Sequence, residues 1–116
     1  MPSRVQTLSA QELHDWISER RELVLIDVLP RVSFLKAHLP GSEHASFYEA
    51  DFLERVEDLV DAPTERVVVY CNSKSCNASE RAAQALVEAG YTNVFDFEGG
   101  VDEWRTEGFL VGGSAR

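Results

Sequence analysis

The sequence is short of basic charge, of cysteine, of proline and of long apolar runs, and each shortage closes off a class of protein. Eleven Lys and Arg stand against 20 Asp and Glu, a formal net charge of -9 over 116 residues. No basic cluster interrupts that acidic background, so no nucleic acid partner is expected, because a phosphate backbone is tracked by a basic stripe. The same field weakly repels small anions, and an anionic substrate must be held by local backbone dipoles. No apolar run approaches the roughly 20 residues a membrane-spanning helix needs. The opening MPSRVQTLSAQELHDW lacks the apolar centre of a secretion signal. No membrane partner is expected, and the cytoplasm is the expected compartment. The two cysteines, Cys71 and Cys76, close too small a loop to staple a domain, and a reducing compartment keeps them as thiols. Reactivity is what they offer.

What is present is an ordinary globular composition, 44% hydrophobic and 27% charged with four prolines, in a chain long enough to bury a core unaided. There is no repeat and no linker, so one domain over residues 5–112 with a loose tail at 113–116 is expected. Ser9 and Glu12 form a capping box, and Leu13, Trp16 and Ile17 recur at helical spacing, predicting a helix over 10–20. LVLIDV at 23–28 reads as a buried strand ended by Pro30, and 32–37 as a short helix closed by the Leu39-Pro40-Gly41 turn. A short strand around 44–46 and a helix over 48–60, burying Phe52, Leu53, Val56, Leu59 and Val60, come next. RVVVY at 66–70 is the strongest strand. Ser79 is the predicted cap of a helix running to Ala89 and stopped by Gly90, and a strand over 94–97 leads through Gly99-Gly100 to a last short helix with Trp104. Trp16, Trp104, Phe34 and Phe52 are core by default. Strands alternating with helices define the α/β class, a central, mainly parallel sheet with helices on both faces.

In such sheets ligands bind beyond the carboxyl ends of the strands. CNSKSCNAS is a loop of that kind, with Cys71 at its start followed by Asn72, Ser73, Lys74, Ser75, Cys76, Asn77, Ala78 and Ser79. Amides curling around the sulfur and the positive end of the next helix favour a thiolate, so a lowered Cys71 pKa is expected. Cys76 on the loop rim is a candidate resolving thiol, able to attack an oxidised Cys71 and form a disulfide. Asp27 and His38 are supporting residues, Asp27 more readily a cap of its own turn and His38 a turn-fixing hydrogen bonder. A structural zinc site wants four paired ligands, which two cysteines and scattered histidines do not supply, so no metal is expected.

The run LIDVLPRVSFLKAHLPGSEHASF resembles the first signature of the rhodanese family, with Asp27, His38, Pro40 and Gly41 in place. VVVYCNSKSCNASERAAQALVEAGYTNVFDFEGGVDEW is similar to that family's catalytic segment, matching at Cys71, Ala82, Ala83, Gly90, Gly99, Gly100 and Trp104. The resemblance implies a single rhodanese-like domain and a sulfurtransferase. Its cysteine takes a sulfane sulfur from a small donor (thiosulfate, polysulfide) or a persulfide-carrying protein, and hands it to a thiol or other thiophilic acceptor, without a cofactor. The loop departs from the pattern: it has about two extra residues, no glycine, and Ala78 where a closing Arg is usual. Leu29 and Pro30 also replace a charged pair. The longer loop suits a phosphatase or arsenate-reductase-like enzyme of the same fold, but a dianion needs the missing guanidinium. A non-enzymatic redox-sensing or interaction module using Cys71 and Cys76 is the third reading.

Overall fold

A computed structural model describes residues 5–113. Five strands alternate with five helices in chain order: β1 Gln6–Thr7, α1 Ala10–Ser18, β2 Val24–Asp27, α2 Arg31–Lys36, β3 Glu43–His44, α3 Phe52–Leu59, β4 Val67–Tyr70, α4 Ala78–Glu88, β5 Val94–Phe97 and α5 Gly100–Thr106. The sheet runs β1-β5-β4-β2-β3 with every pair parallel. The expected α/β architecture is therefore present, with β4 at its centre.

Each strand sorts its side chains by alternation. Val67, Val69 and Cys71 pack with Ile26, Val28, Val94 and the α3 and α4 residues Phe52, Val56, Ala78, Ala82, Ala83 and Leu86. Val68 and Tyr70 face the other way, toward Leu25, Phe95, Phe97, Leu13 of α1 and Val101 and Trp104 of α5. All four β4 residues are buried because both faces are covered, the condition under which a strand reads as a continuous apolar run. No helix among the described residues is long and apolar enough to cross a membrane.

Local chemistry places several boundaries. The Ser9 hydroxyl accepts from the Glu12 amide, and the Glu12 carboxylate accepts from the Ser9 amide, so the capping box starts α1 as predicted. The helix ends at Ser18, short of residue 20, because Arg20 turns to φ 58°. Gly90 does the same at φ 106° after α4, a conformation that costs glycine least.

Three expectations need correction. The helix expected over 48–60 begins only at Phe52, after turns through 48–51. Phe52, Val56 and Val60 share the inward face at i, i+4 and i+8, and Leu53, one position round, is exposed. β1 was not expected: it is two exposed residues held by pairing to β5, and carries no hydrophobic signal of its own. Phe34 is only half-buried, stacked on His38. Of the expected tail, 113–116, only Gly113 lies within the described residues, and Gly112 just before it is tied to His38 by reciprocal backbone hydrogen bonds of 2.8 and 3.2 Å.

Candidate active site

The site is built where β4 ends and α4 begins. Cys71 follows Tyr70 directly and is fully buried. The chain then makes a turn closed by the Cys76 amide donating to the Ser73 carbonyl at 3.0 Å, and enters α4. The turn tip is exposed at Asn72, Lys74 and Ser75, whereas Ala78 and Ser79 are buried again.

Residues 99–101 hold this loop from below. The amides of Val101 and Asp102, in the first turn of α5, donate to the carbonyls of Cys71 and Asn72 at 3.1 and 2.8 Å. That approach is close enough that a β-carbon on Gly100 would collide with the Cys71 carbonyl oxygen, and Gly100 sits at φ 58°. The Gly-Gly-x-x-x-Trp spacing thus has a physical reading. Gly100 admits the loop backbone, and Trp104 one turn later is buried on the far face with its indole N–H on the Leu110 carbonyl at 2.7 Å.

The structure departs from the expected electrostatics of Cys71. Its single thiol hydrogen has two acceptors within reach, the Cys76 carbonyl at 3.5 Å and the Ser79 hydroxyl at 3.6 Å. Burial among aliphatic side chains, followed by the Cys76 thiol beside it, pushes its pKa up to about 11; the hydroxyl and amide of Ser79 pull the other way but do not prevail. The expected lowering fails for a specific reason: Cys71 is buried in the apolar core under α4, and the loss of solvation outweighs the hydroxyl and amide that Ser79 presents to the sulfur. The helix mouth is present nonetheless, since Ser79 is the second residue of α4.

Ser79 is also not the cap. The helix starts at Ala78 with Asn77 at the capping position and no side-chain capping bond. The Ser79 hydroxyl is turned inward instead, with Cys71 on one side and the carboxyl of Asp96 on the other. Asp96 was not singled out from the sequence. Its signal was a lone acid inside the apolar strand VFDF, where a buried charge calls for an explanation.

The supporting residues lie elsewhere. Asp27 pairs in register with Tyr70 and so faces away from Cys71. Its Oδ1 accepts from the Leu29 amide at 2.9 Å, which caps its own turn. The Tyr70 hydroxyl accepts from the Leu39 amide at 3.0 Å and lies 2.8 Å from Ser42 Oγ, anchoring the Leu39-Pro40-Gly41 turn. His38 places Nδ1 2.7 Å from the Phe34 carbonyl and stacks on the Phe34 ring. Neither Asp27 nor His38 is brought to the sulfur. Arg81 lies over the Phe47 ring at 5.4 Å, and Lys74 lines a shallow cleft of about 450 Å³ with Ser73, Ser75, Gly99, Asp102, Glu103 and Thr106.

A parallel sheet carrying a cysteine at the carboxyl end of its central strand, locked by a Gly-Gly turn, defines an α/β domain of the cysteine-loop kind. The sequence pattern of the Rhodanese-like domain matches residues 9–107, and the chain belongs to that family. It is 36% identical over 84 residues to the thiosulfate sulfurtransferase GlpE of Pseudomonas fluorescens, covering 72% of this chain and 71% of that protein. It is 33% identical over 101 residues to the adenylyltransferase and sulfurtransferase UBA4 of Candida albicans, covering 84% of this chain but only 23% of that protein. The chain therefore spans about a quarter of the length of the latter. A crystal structure of thiosulfate sulfurtransferase from Pseudomonas aeruginosa superposes with a TM-score of 0.79 at 24% identity, over 97% of this chain and 21% of that one. That likeness concerns the fold.

Proposed function

We propose that this chain is a sulfurtransferase in which Cys71 accepts a sulfane sulfur as a persulfide and passes it to a thiol. One observation carries the reading: the sulfur lies at the carboxyl end of the central strand against the first turn of α4, beside the Ser79 hydroxyl. The names of relatives covering most of the chain agree with it. As the loop lies, the thiol is protonated at neutral pH. Sulfur uptake therefore requires the 72–76 turn to lift its carbonyl from the sulfur and let the donor meet the amides of α4. The extra residues make such a turn a separable unit.

The preferred donor is a persulfide, borne by a protein or a small thiol. Thiosulfate is a dianion meeting a chain of net charge -9. The loop's own lysine, Lys74, lies in an exposed cleft with Asp102 and Glu103, and Arg81 of α4 lies over the Phe47 ring. Thiosulfate turnover rises with ionic strength on this account, and a rate independent of salt would contradict it. Among the described residues no guanidinium partners the sulfur, which also weighs against a phosphatase or arsenate-reductase chemistry. The cytoplasm fits two free thiols.

The test is whole-protein mass spectrometry after incubation with thiosulfate, polysulfide or a persulfide donor. The wild-type protein is expected to gain one sulfur atom and Cys71→Ala none. A wild-type chain unchanged by every donor sinks the proposal. A second reading has its own support, because the Cys76 carbonyl accepts from the Cys71 thiol at 3.5 Å and so keeps the two cysteines adjacent. Peroxide oxidises Cys71 to a sulfenic acid, and attack by Cys76 expels water and leaves a disulfide. Disulfide formation with peroxide, in a chain that never takes up sulfur, would favour that sensing role over transfer.

A further inference from the structure

Asp96 is 2% exposed, the third residue of β5. Its register partner is Val69, which precedes Cys71 by two residues and shares its face, so Asp96, Val69 and Cys71 all look toward α4. Ser79 stands between the acid and the thiol. Its oxygen is 3.6 Å from Cys71 Sγ, one of two acceptors within reach of the single thiol hydrogen, the other being the Cys76 carbonyl at 3.5 Å, and its hydroxyl lies beside the Asp96 carboxyl. Asp96 Oδ1 has no hydrogen-bond partner among the described residues. A buried, half-satisfied carboxylate in a strand otherwise filled by Val and Phe lowers stability, which calls for a use. A hydroxyl that accepts from a thiol while donating to a carboxylate supplies one, since both bonds can reverse together.

We propose that Asp96 is the terminal proton acceptor for Cys71, reached through the Ser79 hydroxyl. This role rests on the sulfur-transfer reading for its purpose. As Ser79 passes its own proton to Asp96, the Ser79 oxygen takes the proton of Cys71. The thiolate attacks the outer sulfur of the donor and forms a new S–S bond. The S–S bond of the donor breaks, and its electron pair leaves with the remnant, sulfite when the donor is thiosulfate. One negative charge moves from carboxylate to sulfur, so the pocket ionises its thiol without burying a second charge.

The groups around Asp96 suit that task. Burial first, then the charges of Glu98 beyond β5 and Glu80 on α4, raise its pKa, with the Ser79 hydroxyl opposing, to about 6. An acid poised there can take a proton and return it near neutrality. On the sulfur side, the Cys76 thiol is the titratable neighbour.

The experiment follows two rates against pH in wild type, Asp96→Asn, Ser79→Ala and the double variant. One is sulfur uptake from thiosulfate or polysulfide; the other is alkylation of Cys71 by iodoacetamide, resolved from Cys76 by peptide mass. The relay predicts that Asp96→Asn slows both by about tenfold or more at pH 7 and erases the rise in rate centred near pH 6. Ser79→Ala should match it, and the double variant should be no slower than the slower single one. An Asp96→Asn protein that reacts as fast or faster overturns the proposal, because removing a mere like-charge neighbour would favour the thiolate. Wild-type protein gives a fold-independent check: two hydrogens moving together produce a normal solvent deuterium isotope effect with a curved proton inventory, and an alkylation rate insensitive to deuterium overturns the relay. Absence of sulfur uptake with alkylation still governed by Asp96 would sink sulfur transfer and leave the relay standing.

Discussion

The two faces of the sheet each bury one aspartate near the strand ends, each with a raised pKa and one oxygen unpartnered among the described residues, and the two differ in the groups that surround them. Asp27 faces the α1 and α5 side with Tyr70 and gives one oxygen to a backbone amide. Burial raises its pKa, and the Leu29 amide, His44, the Tyr70 hydroxyl and His38 oppose that rise without reversing it. Asp96 faces the α4 side, where the neighbouring charges are the acids Glu98 and Glu80 and its hydrogen-bond partner leads to a thiol. The same side chain at similar burial is a structural cap where its neighbours favour the anion. Where they do not, the role proposed for it is that of a titrating group. Burial alone thus says little about what an acid is for; the sign of its surroundings decides.

The largest expected break in this comparison comes from below both faces. Gly100→Ala drives a β-carbon into the Cys71 carbonyl at a left-handed backbone position and should cost about 3 kcal/mol in a denaturant titration. It should also loosen the Cys71 loop, read as faster alkylation. An unchanged midpoint would mean that α5 does not clamp the loop. Tyr70→Phe strips the Leu39 amide and Ser42 of their buried partner and should cost about 2 kcal/mol, while leaving Cys71 alkylation within about twofold because its hydroxyl lies on the far face.

Asp96→Asn tests the opposite face. The Asp96 pKa is raised in the folded chain, from 3.8 to about 6. Its contribution to stability is therefore fully present below about pH 3.8 and is lost as the pH climbs through 6. The asparagine variant, which carries no such dependence, should be more stable than wild type at pH 7.5 by up to about 2 kcal/mol, with the gap closing toward pH 4. A gap that widens in acid would reverse the assignment of sign. The smallest effect belongs to Ser9→Ala, which removes a capping box remote from both acids and should cost about 1 kcal/mol at every pH.

Much of this architecture could be read residue by residue. RVVVY announced a doubly buried strand, Ser9 and Glu12 a helix start, and Gly90 its stop, because each signal is local and chemical. The position of Cys71 at a strand end was legible for the same reason. The protonation of Cys71 was not. Donors and helix dipole could be inferred from the loop sequence, whereas the burial that keeps the thiol protonated depends on how α3 and α4 pack over the sheet. Ser79 was misassigned as a cap because its partners lie 8 and 17 positions away along the chain.

By itself the sequence determined the order of strands and helices, the α/β class and the thiol at the end of the central strand, since hydrophobic period, caps and turn residues act over a few positions. Only the tertiary structure decided which charges and acceptors face that thiol. Asp96 is brought to the same face as Cys71 by the pairing of β4 with β5 and the packing of α4 upon both, and such neighbours, distant along the chain, set whether a buried group holds its proton or gives it away.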